Sequence, residues 1–206
     1  MTQPYNTLLE LLQTRRSVRR FLNQPVAPEQ VQRLIEAARW APSAGNRQAW
    51  RLLILDAPDR IHQAACAVQA QADHLVALAR PDTAAQLSSY LANFHHFDTA
   101  PLLIVPIYRP GIDLLPPVES RATVPRHIVD ALSSVAAAIQ NLLLAAHSMG
   151  LGACWMTGPL IASEALAALI DVPEGWEIAA VVPVGRPAEV PSAPTRRPAE
   201  RLCKRT

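Results

Sequence analysis

Cysteine is scarce in this sequence, and its three copies are poorly placed for cross-linking or for metal binding. Cys66, Cys154 and Cys203 are odd in number, far apart and never in Cys-x-x-Cys spacing. This pattern argues against a disulfide scaffold or a zinc site and favours a reducing, cytoplasmic compartment. The histidines form no cluster with the spacing of a metal site, so we expect no metal.

Two familiar nucleotide-binding signatures are also missing. No Gly-x-Gly-x-x-Gly follows a candidate strand, and no glycine-rich loop ends in Gly-Lys-Ser or Gly-Lys-Thr. A Rossmann dehydrogenase and a nucleoside triphosphate enzyme are therefore disfavoured. The N-terminal residues contain no charged segment followed by an apolar core, so we expect no signal peptide. The most apolar long stretch, residues 131–149, contains Ser, Gln, Asn and His, so it predicts a buried helix and no membrane span.

Basic and acidic residues nearly balance, because 19 Lys and Arg face 17 Asp and Glu. This balance argues against a nucleic-acid partner, which requires a broad basic face. Nine of the basic residues nevertheless fall in two short runs, Arg15, Arg16, Arg19 and Arg20, and Arg196, Arg197, Arg201, Lys204 and Arg205.

The first basic run encloses a hydroxyl, Ser17, which favours a phosphate ligand. The planar guanidinium of arginine forms bidentate, charge-assisted hydrogen bonds with phosphate oxygens. If folding brings the two runs together, they form a phosphate pocket. A solvated basic edge is the alternative interpretation of both runs.

The length and composition predict one globular domain, residues 1–206, because half of the residues are hydrophobic and only 17% are charged. Helices outnumber strands, and one or two helices separate successive strands, which predicts an α+β sandwich around a small sheet. Pro106 should push part of its strand to an edge or a bulge. We expect helices at residues 7–13, 28–38, 59–80, 83–95, 126–149 and 163–170, and strands at 50–55, 101–108, 153–156 and 176–184.

Two proline-rich segments carry no helix or strand signal. Residues 109–125 form a long loop inside a compact domain, which is typical of a lid or of an arm over a partner. Residues 186–206 form a tail that we expect to be extended.

The loop at residues 41–50 is the other concentration of polar groups. Ser43, Asn46 and Gln48 supply a hydroxyl and amides that can donate and accept, as groups that read the edge of a heterocycle do. A plain helix-to-strand turn is the alternative.

Four motifs together resemble the FMN-dependent nitroreductase family. They are Arg-Arg-Ser-Val-Arg-Arg-Phe, Ala-Pro-Ser-Ala-Gly-Asn-Arg-Gln-Ala-Trp, Gln-Asn-Leu-Leu-Leu-Ala-Ala leading into Gly-Leu-Gly, and a late Gly-Arg-Pro. Their order and spacing match over nearly the whole chain, except residues 59–125. The resemblance implies a mainly antiparallel sheet flanked by helices and an intertwined homodimer with FMN at the subunit interface.

The resemblance also implies which residues bind FMN. It assigns the phosphate and ribityl chain to the first basic run and to one arginine of the tail, and the flavin ring to a loop of the other subunit and to backbone amides after the Gly-Leu-Gly strand. The implied residues are Arg15, Arg16, Ser17 and Arg19, then Arg196 or Arg197, then Pro42, Ser43, Ala44, Asn46 and Gln48, and finally Met156, Thr157 and Gly158.

The implied activity is the reduction of nitroaromatic or quinone-type acceptors by NAD(P)H in a ping-pong flavin mechanism. It requires no catalytic acid or base, so we assign none. Alternatives with the same fold are a reductive dehalogenase, a flavin-consuming enzyme and a flavin-storage protein of low turnover. Thr157-Gly158 stands where many relatives have an acidic residue and glycine, and the loop 109–125 matches no known substrate class, so the substrate stays open.

Overall fold

The computed structural model describes residues 3–111 and 125–205. These residues form one five-stranded sheet with the order β1-β2-β5-β3, and β4 also pairs with β2. All pairings between the strands are antiparallel, so the prediction of an α+β fold with a small antiparallel sheet flanked by helices is confirmed. The elements are α1 Gln3–Thr14, α2 Pro28–Arg39, β1 Trp50–Leu55, α3 Pro58–Ala77, α4 Ala84–Leu91, β2 Leu102–Tyr108, α5 Arg126–Ser148, β3 Gly152–Ala153, α6 Ser163–Leu169, β4 Glu177–Ile178 and β5 Val182–Gly185.

The sheet lies between two helical layers, and β2 contributes to the core on both of its faces. All seven residues of β2 are buried. Leu103, Val105 and Ile107 pack in one cluster with α3 and α6, whereas Leu102 and Ile104 pack in the other with α2 and α5. The alternation follows from the two-residue period of a strand and explains the continuous apolar sequence of β2.

Pro106 lies in the middle of the sheet, at a bulge. Ile104 pairs with Val182 and Ile107 with Ile178, so two residues of β2 face three residues, 179–181, on the other side. The Pro106 carbonyl accepts a hydrogen bond from Ala179 N at 2.8 Å. The missing N–H of Pro106 faces the same bulge, where the ladder is already interrupted.

The same bulge divides the last predicted strand. The sequence predicts one strand over residues 176–184, but β4 ends at Ile178 and β5 begins at Val182. A continuous strand would keep one register against β2, which the bulge opposite Pro106 prevents.

The central helix α5 carries a buried face. Val135, Ile139 and Leu142 are at most 1% exposed and pack against α2 and the sheet. His127–Ser148 is long and apolar enough by length and composition to cross a membrane. Its packing supports the interpretation as a core helix.

The lid or arm predicted at 109–125 lies outside the described residues for positions 112–124. Trp40 is 75% exposed in the single chain and therefore lies outside its core.

Candidate functional site

The first basic run is positioned by backbone pairing on both sides. Ser17 forms a parallel bridge with Ala153 in β3, and Phe21 forms an antiparallel bridge with Pro187. The close approach requires glycine at position 152, because a Cβ there would lie 2.7 Å from Cβ of Val18. The run therefore extends the sheet beyond β3 and contacts the start of the C-terminal tail.

The arginines of this run have different surroundings. Arg16 donates through Nη1 to the carbonyls of Gln13 at 2.7 Å and Arg15 at 2.9 Å, so its guanidinium covers the C-terminal end of α1. Arg19 donates through Nη1 to the Ser17 carbonyl at 3.4 Å, and its side chain lines a pocket.

Glu189 is a neighbour of this run that the sequence analysis missed. Its Oε1 accepts hydrogen bonds from the backbone N–H groups of Arg19 at 2.9 Å and Arg20 at 3.3 Å. The carboxylate therefore fixes the tail to the basic run and partly offsets its positive charge. No motif in the tail marks this residue, because the contact joins positions 170 residues apart.

The pocket beside Arg19, here called the first pocket, has a volume of about 500 Å³. It brings together Arg19 and residues 156–158, two predicted segments that lie far apart in the sequence. Tyr90 and Phe94, whose rings pack edge to face with centroids 5.0 Å apart, add an aromatic wall. The residues that line this pocket include Arg19, Tyr90, Phe94, Met156, Thr157 and Gly158.

Cys154 lies buried at the first pocket, beside Ser17. Burial raises the pKa of the Cys154 thiol, although the positive charge of Arg19 and a hydrogen bond with Ser17 act in the opposite direction. The thiol is therefore neutral near pH 7 and serves as a small apolar residue.

The polar loop after α2 forms a second pocket of about 350 Å³, lined by Arg39, Trp40, Ala41, Asn46 and Gln48. Gly45, Asn46 and Gln48 have φ values of 60°, 52° and 48°. Two non-glycine residues in the left-handed region cost conformational energy, and such residues concentrate at functional sites.

Hydrogen bonds hold this loop in place. Gln48 N donates to Ser43 Oγ at 3.0 Å, and Ala44 N donates to Ser134 Oγ on α5 at 3.1 Å. The Gln48 amide donates through Nε2 to Asn46 Oδ1 at 3.1 Å. Ser43 therefore supports the loop from within, whereas Asn46 and Gln48 line its pocket. Pro42 is exposed.

The two pockets share no lining residue, and one chain does not bring the polar loop to Arg19. Arg196 and Arg197 are exposed in the tail and line neither pocket. The convergence of both basic runs and of the loop on one ligand therefore stays a prediction that a second subunit would have to fulfil.

A small antiparallel sheet between two helical layers is the α+β architecture that this chain shares with solved nitroreductases. The chain belongs to the Nitroreductase family, whose model matches residues 12–186.

Three relatives illustrate the similarity. The chain is 32% identical over 189 residues to a 5,6-dimethylbenzimidazole synthase of Rhodospirillum rubrum, which covers 87% of this chain and 81% of the relative. A BluB-like flavoprotein from Clostridium difficile 630 has a TM-score of 0.81 at 22% identity, over 97% of this chain and 98% of that one. A nitroreductase with bound FMN from Desulfitobacterium hafniense has a TM-score of 0.72 at 23% identity, over 96% and 97%.

Proposed function

We propose that this chain is an FMN-dependent oxidoreductase that uses NAD(P)H to reduce nitroaromatic or quinone-type acceptors by a ping-pong mechanism. The observation that carries the proposal is the meeting of Arg19 with residues 156–158 at one pocket, since these are two of the segments implied to bind FMN. Family membership supports the reaction class.

The residues of the first pocket fit a flavin. Its volume of about 500 Å³ lies in the usual range for small-molecule sites, and aromatic lining with few polar groups is typical of them. Arg15, Arg16, Ser17 and Arg19 would bind the phosphate and ribityl chain. Backbone amides of residues 156–158 would contact the ring. Bound FMN supplies the electron transfer, while the chain supplies orientation and positive charge.

The polar loop would complete the site from the other subunit of a homodimer, through Pro42, Ser43, Ala44, Asn46 and Gln48. One arginine of the tail, Arg196 or Arg197, would close the phosphate site. In this proposal the chain is one FMN-binding domain in a reducing, cytoplasmic compartment.

The test begins with the colour of the purified protein. We expect a yellow protein that releases FMN on denaturation and whose flavin absorption bleaches on anaerobic mixing with NADH or NADPH. A panel of nitroaromatic and quinone acceptors should then restore the colour. A colourless protein that takes up no added FMN would refute the proposal, and bound flavin that neither nucleotide reduces would indicate a storage protein.

A flavin-consuming enzyme is the second candidate, because both a sequence relative and a structural neighbour point to it. The product named for the relative, 5,6-dimethylbenzimidazole, contains the same dimethyl-substituted ring as the flavin. The test is aerobic incubation with excess reduced FMN. Loss of the flavin chromophore with formation of a benzimidazole would support this candidate, whereas quantitative recovery of FMN would exclude it.

A further inference from the structure

Trp40 is a mostly exposed aromatic side chain that the structure nevertheless holds in place. It follows the last residue of α2 and is 75% exposed. Its indole Nε1 donates a hydrogen bond to Glu36 Oε1 at 2.8 Å, one helical turn earlier.

Arg39 completes this arrangement. It donates through Nε to Glu36 Oε2 at 2.9 Å and through Nη2 to Glu36 Oε1 at 2.7 Å, which is a bidentate ion pair. Its guanidinium carbon lies 5.3 Å from the centroid of the Trp40 ring, within cation–π distance. We call Glu36, Arg39 and Trp40 the aromatic platform.

The aromatic platform has no net charge at neutral pH. Hydrogen bonds from Arg39 and Trp40 lower the pKa of the Glu36 carboxyl, which is therefore ionised and balances the guanidinium. Arg39 still has unused N–H groups, because its Nη1 takes no part in the ion pair. The surface thus combines an ordered ring with hydrogen-bond donors. Because its net charge is zero, it favours neither anionic nor cationic ligands.

The aromatic platform opens into the second pocket. Arg39 and Trp40 line this pocket together with Asn46 and Gln48, whose amides supply further donors and acceptors. A ligand on the Trp40 ring would therefore lie beside the two side chains that the proposed function assigns to the flavin of the other subunit.

We infer that the aromatic platform binds the electron acceptor, a planar aromatic compound that carries nitro or carbonyl oxygens. This inference rests on the proposed function, which supplies the flavin. The ring of the acceptor would stack on Trp40 in an offset arrangement, and its oxygens would accept hydrogen bonds from Arg39 and from the amides. Because the indole is already ordered, binding would cost little side-chain entropy.

The test compares Trp40→Ala and Trp40→Phe in the FMN-loaded protein with two acceptors, p-nitrobenzoate and the non-aromatic oxidant ferricyanide. We expect Trp40→Ala to raise KM for p-nitrobenzoate by about tenfold, the loss expected for an aromatic contact. The value of kcat and the KM for ferricyanide should stay close to those of the wild type. Trp40→Phe keeps a ring and should stay within about threefold of the wild type in KM, on the same basis.

Leu78→Ala is the matched control, because Leu78 is 71% exposed at the end of α3 and lies in neither pocket. Its kinetics should equal those of the wild type. Equal changes for both acceptors in Trp40→Ala, or no change for either, would overturn the inference. So would an unchanged KM with a weakened dimer, measured by sedimentation, because Trp40 would then be a subunit contact.

The anaerobic reduction of bound FMN by NADH or NADPH is measured on the same variants. If the wild-type protein binds no FMN or is not reduced, the proposed function itself fails. Calorimetric titration with p-nitrobenzoate then still tests the aromatic platform directly: binding that Trp40→Ala removes supports it, and absent binding refutes it.

Discussion

At the scale of single residues, Gly158 shows how closely the first pocket is packed. A Cβ at this position would lie 2.6 Å from Cδ1 of Phe94, which is too close for the present arrangement. Phe94 itself lines the pocket, so a larger residue at position 158 has to displace a phenyl ring that borders the space proposed for the flavin.

We expect Gly158→Ala to lower the free energy of unfolding by roughly 1–3 kcal/mol, the usual cost of overpacking, and to weaken FMN binding. Urea unfolding and titration of the apoprotein with FMN would measure the two effects. Gly158→Ala combined with Phe94→Leu, which makes room, should recover part of the affinity. Wild-type affinity in the single variant would show that Phe94 moves away from the flavin.

The second prediction concerns the positive charge of Arg19. Arg19→Ala should weaken FMN binding by roughly 1.5–3 kcal/mol, the scale of a charge-assisted hydrogen bond, and Arg197→Ala should do the same if the tail closes the phosphate site. Arg205→Ala, at the far end of the tail, is the control. Unchanged affinity in both variants, measured by equilibrium titration, would refute the convergence of the two basic runs.

At the scale of elements, a hydrogen bond joins the C-terminal ends of α1 and α5. The Thr14 hydroxyl donates its single proton to the Glu10 carbonyl at 2.7 Å. It therefore accepts from Nε2–H of His147 at 2.8 Å, which fixes the proton position on the imidazole. This contact lies directly before the first basic run.

His147 should make stability depend on pH. Burial lowers its pKa, and the positive charges of Arg15 and Arg16 lower it further. As the pH falls, the unfolded chain, in which the pKa of this histidine is about 6.5, therefore becomes protonated at a higher pH than the folded protein does. Stability is complete above that value and decreases as the pH falls toward the folded-state pKa.

We expect His147→Gln, which keeps an N–H donor for Thr14, to lose less stability than the wild type between about pH 7.5 and pH 5.5. Urea unfolding at both pH values measures the difference. The control is His74→Gln, at an exposed position on α3. An equal decrease in wild type and His147→Gln would show that other groups cause the pH dependence.

The elements also show which parts of the fold local sequence can predict. The bounds of β1 agree with the prediction because Asp56-Ala57-Pro58 ends the strand and Pro58 starts α3. The division of residues 176–184 between β4 and β5 depends on Pro106 of a distant strand, which no local pattern contains. For the site, the family resemblance implied Arg19 and residues 156–158, but not Glu189 or Tyr90, which meet Arg19 only through tertiary contacts.

At the scale of the whole molecule, a single chain has two separate pockets and an exposed apolar helix face. The first and second pockets lie apart. Helix α1 has no buried residue, and its apolar side chains Tyr5, Leu8 and Leu12 are 46–50% exposed. Both features support the proposed homodimer, in which the polar loop of one subunit would complete the site of the other.

Mixed dimers test this arrangement. Neither Asn46→Ala nor Arg19→Ala alone should bind FMN well, but a heterodimer of the two variants would contain one site with both wild-type residues. Random mixing should therefore restore about a quarter of the sites, since half of the dimers are mixed and each has one intact site. Titrating the unfolded and refolded mixture with FMN measures this fraction. No recovery would indicate a site built within one subunit.

Pro106, which lies at the bulge of the native sheet, also affects the newly made chain before the sheet has formed. Residues 102–108, Leu-Leu-Ile-Val-Pro-Ile-Tyr, are all buried in the native sheet and are exposed until it forms. An uncharged, strongly apolar segment of this length is a typical start of cross-β aggregation, which proline interrupts because it cannot donate to a strand on that side. The native sheet tolerates Pro106 at its bulge, whereas a stack of identical strands would leave an unpaired carbonyl at every layer.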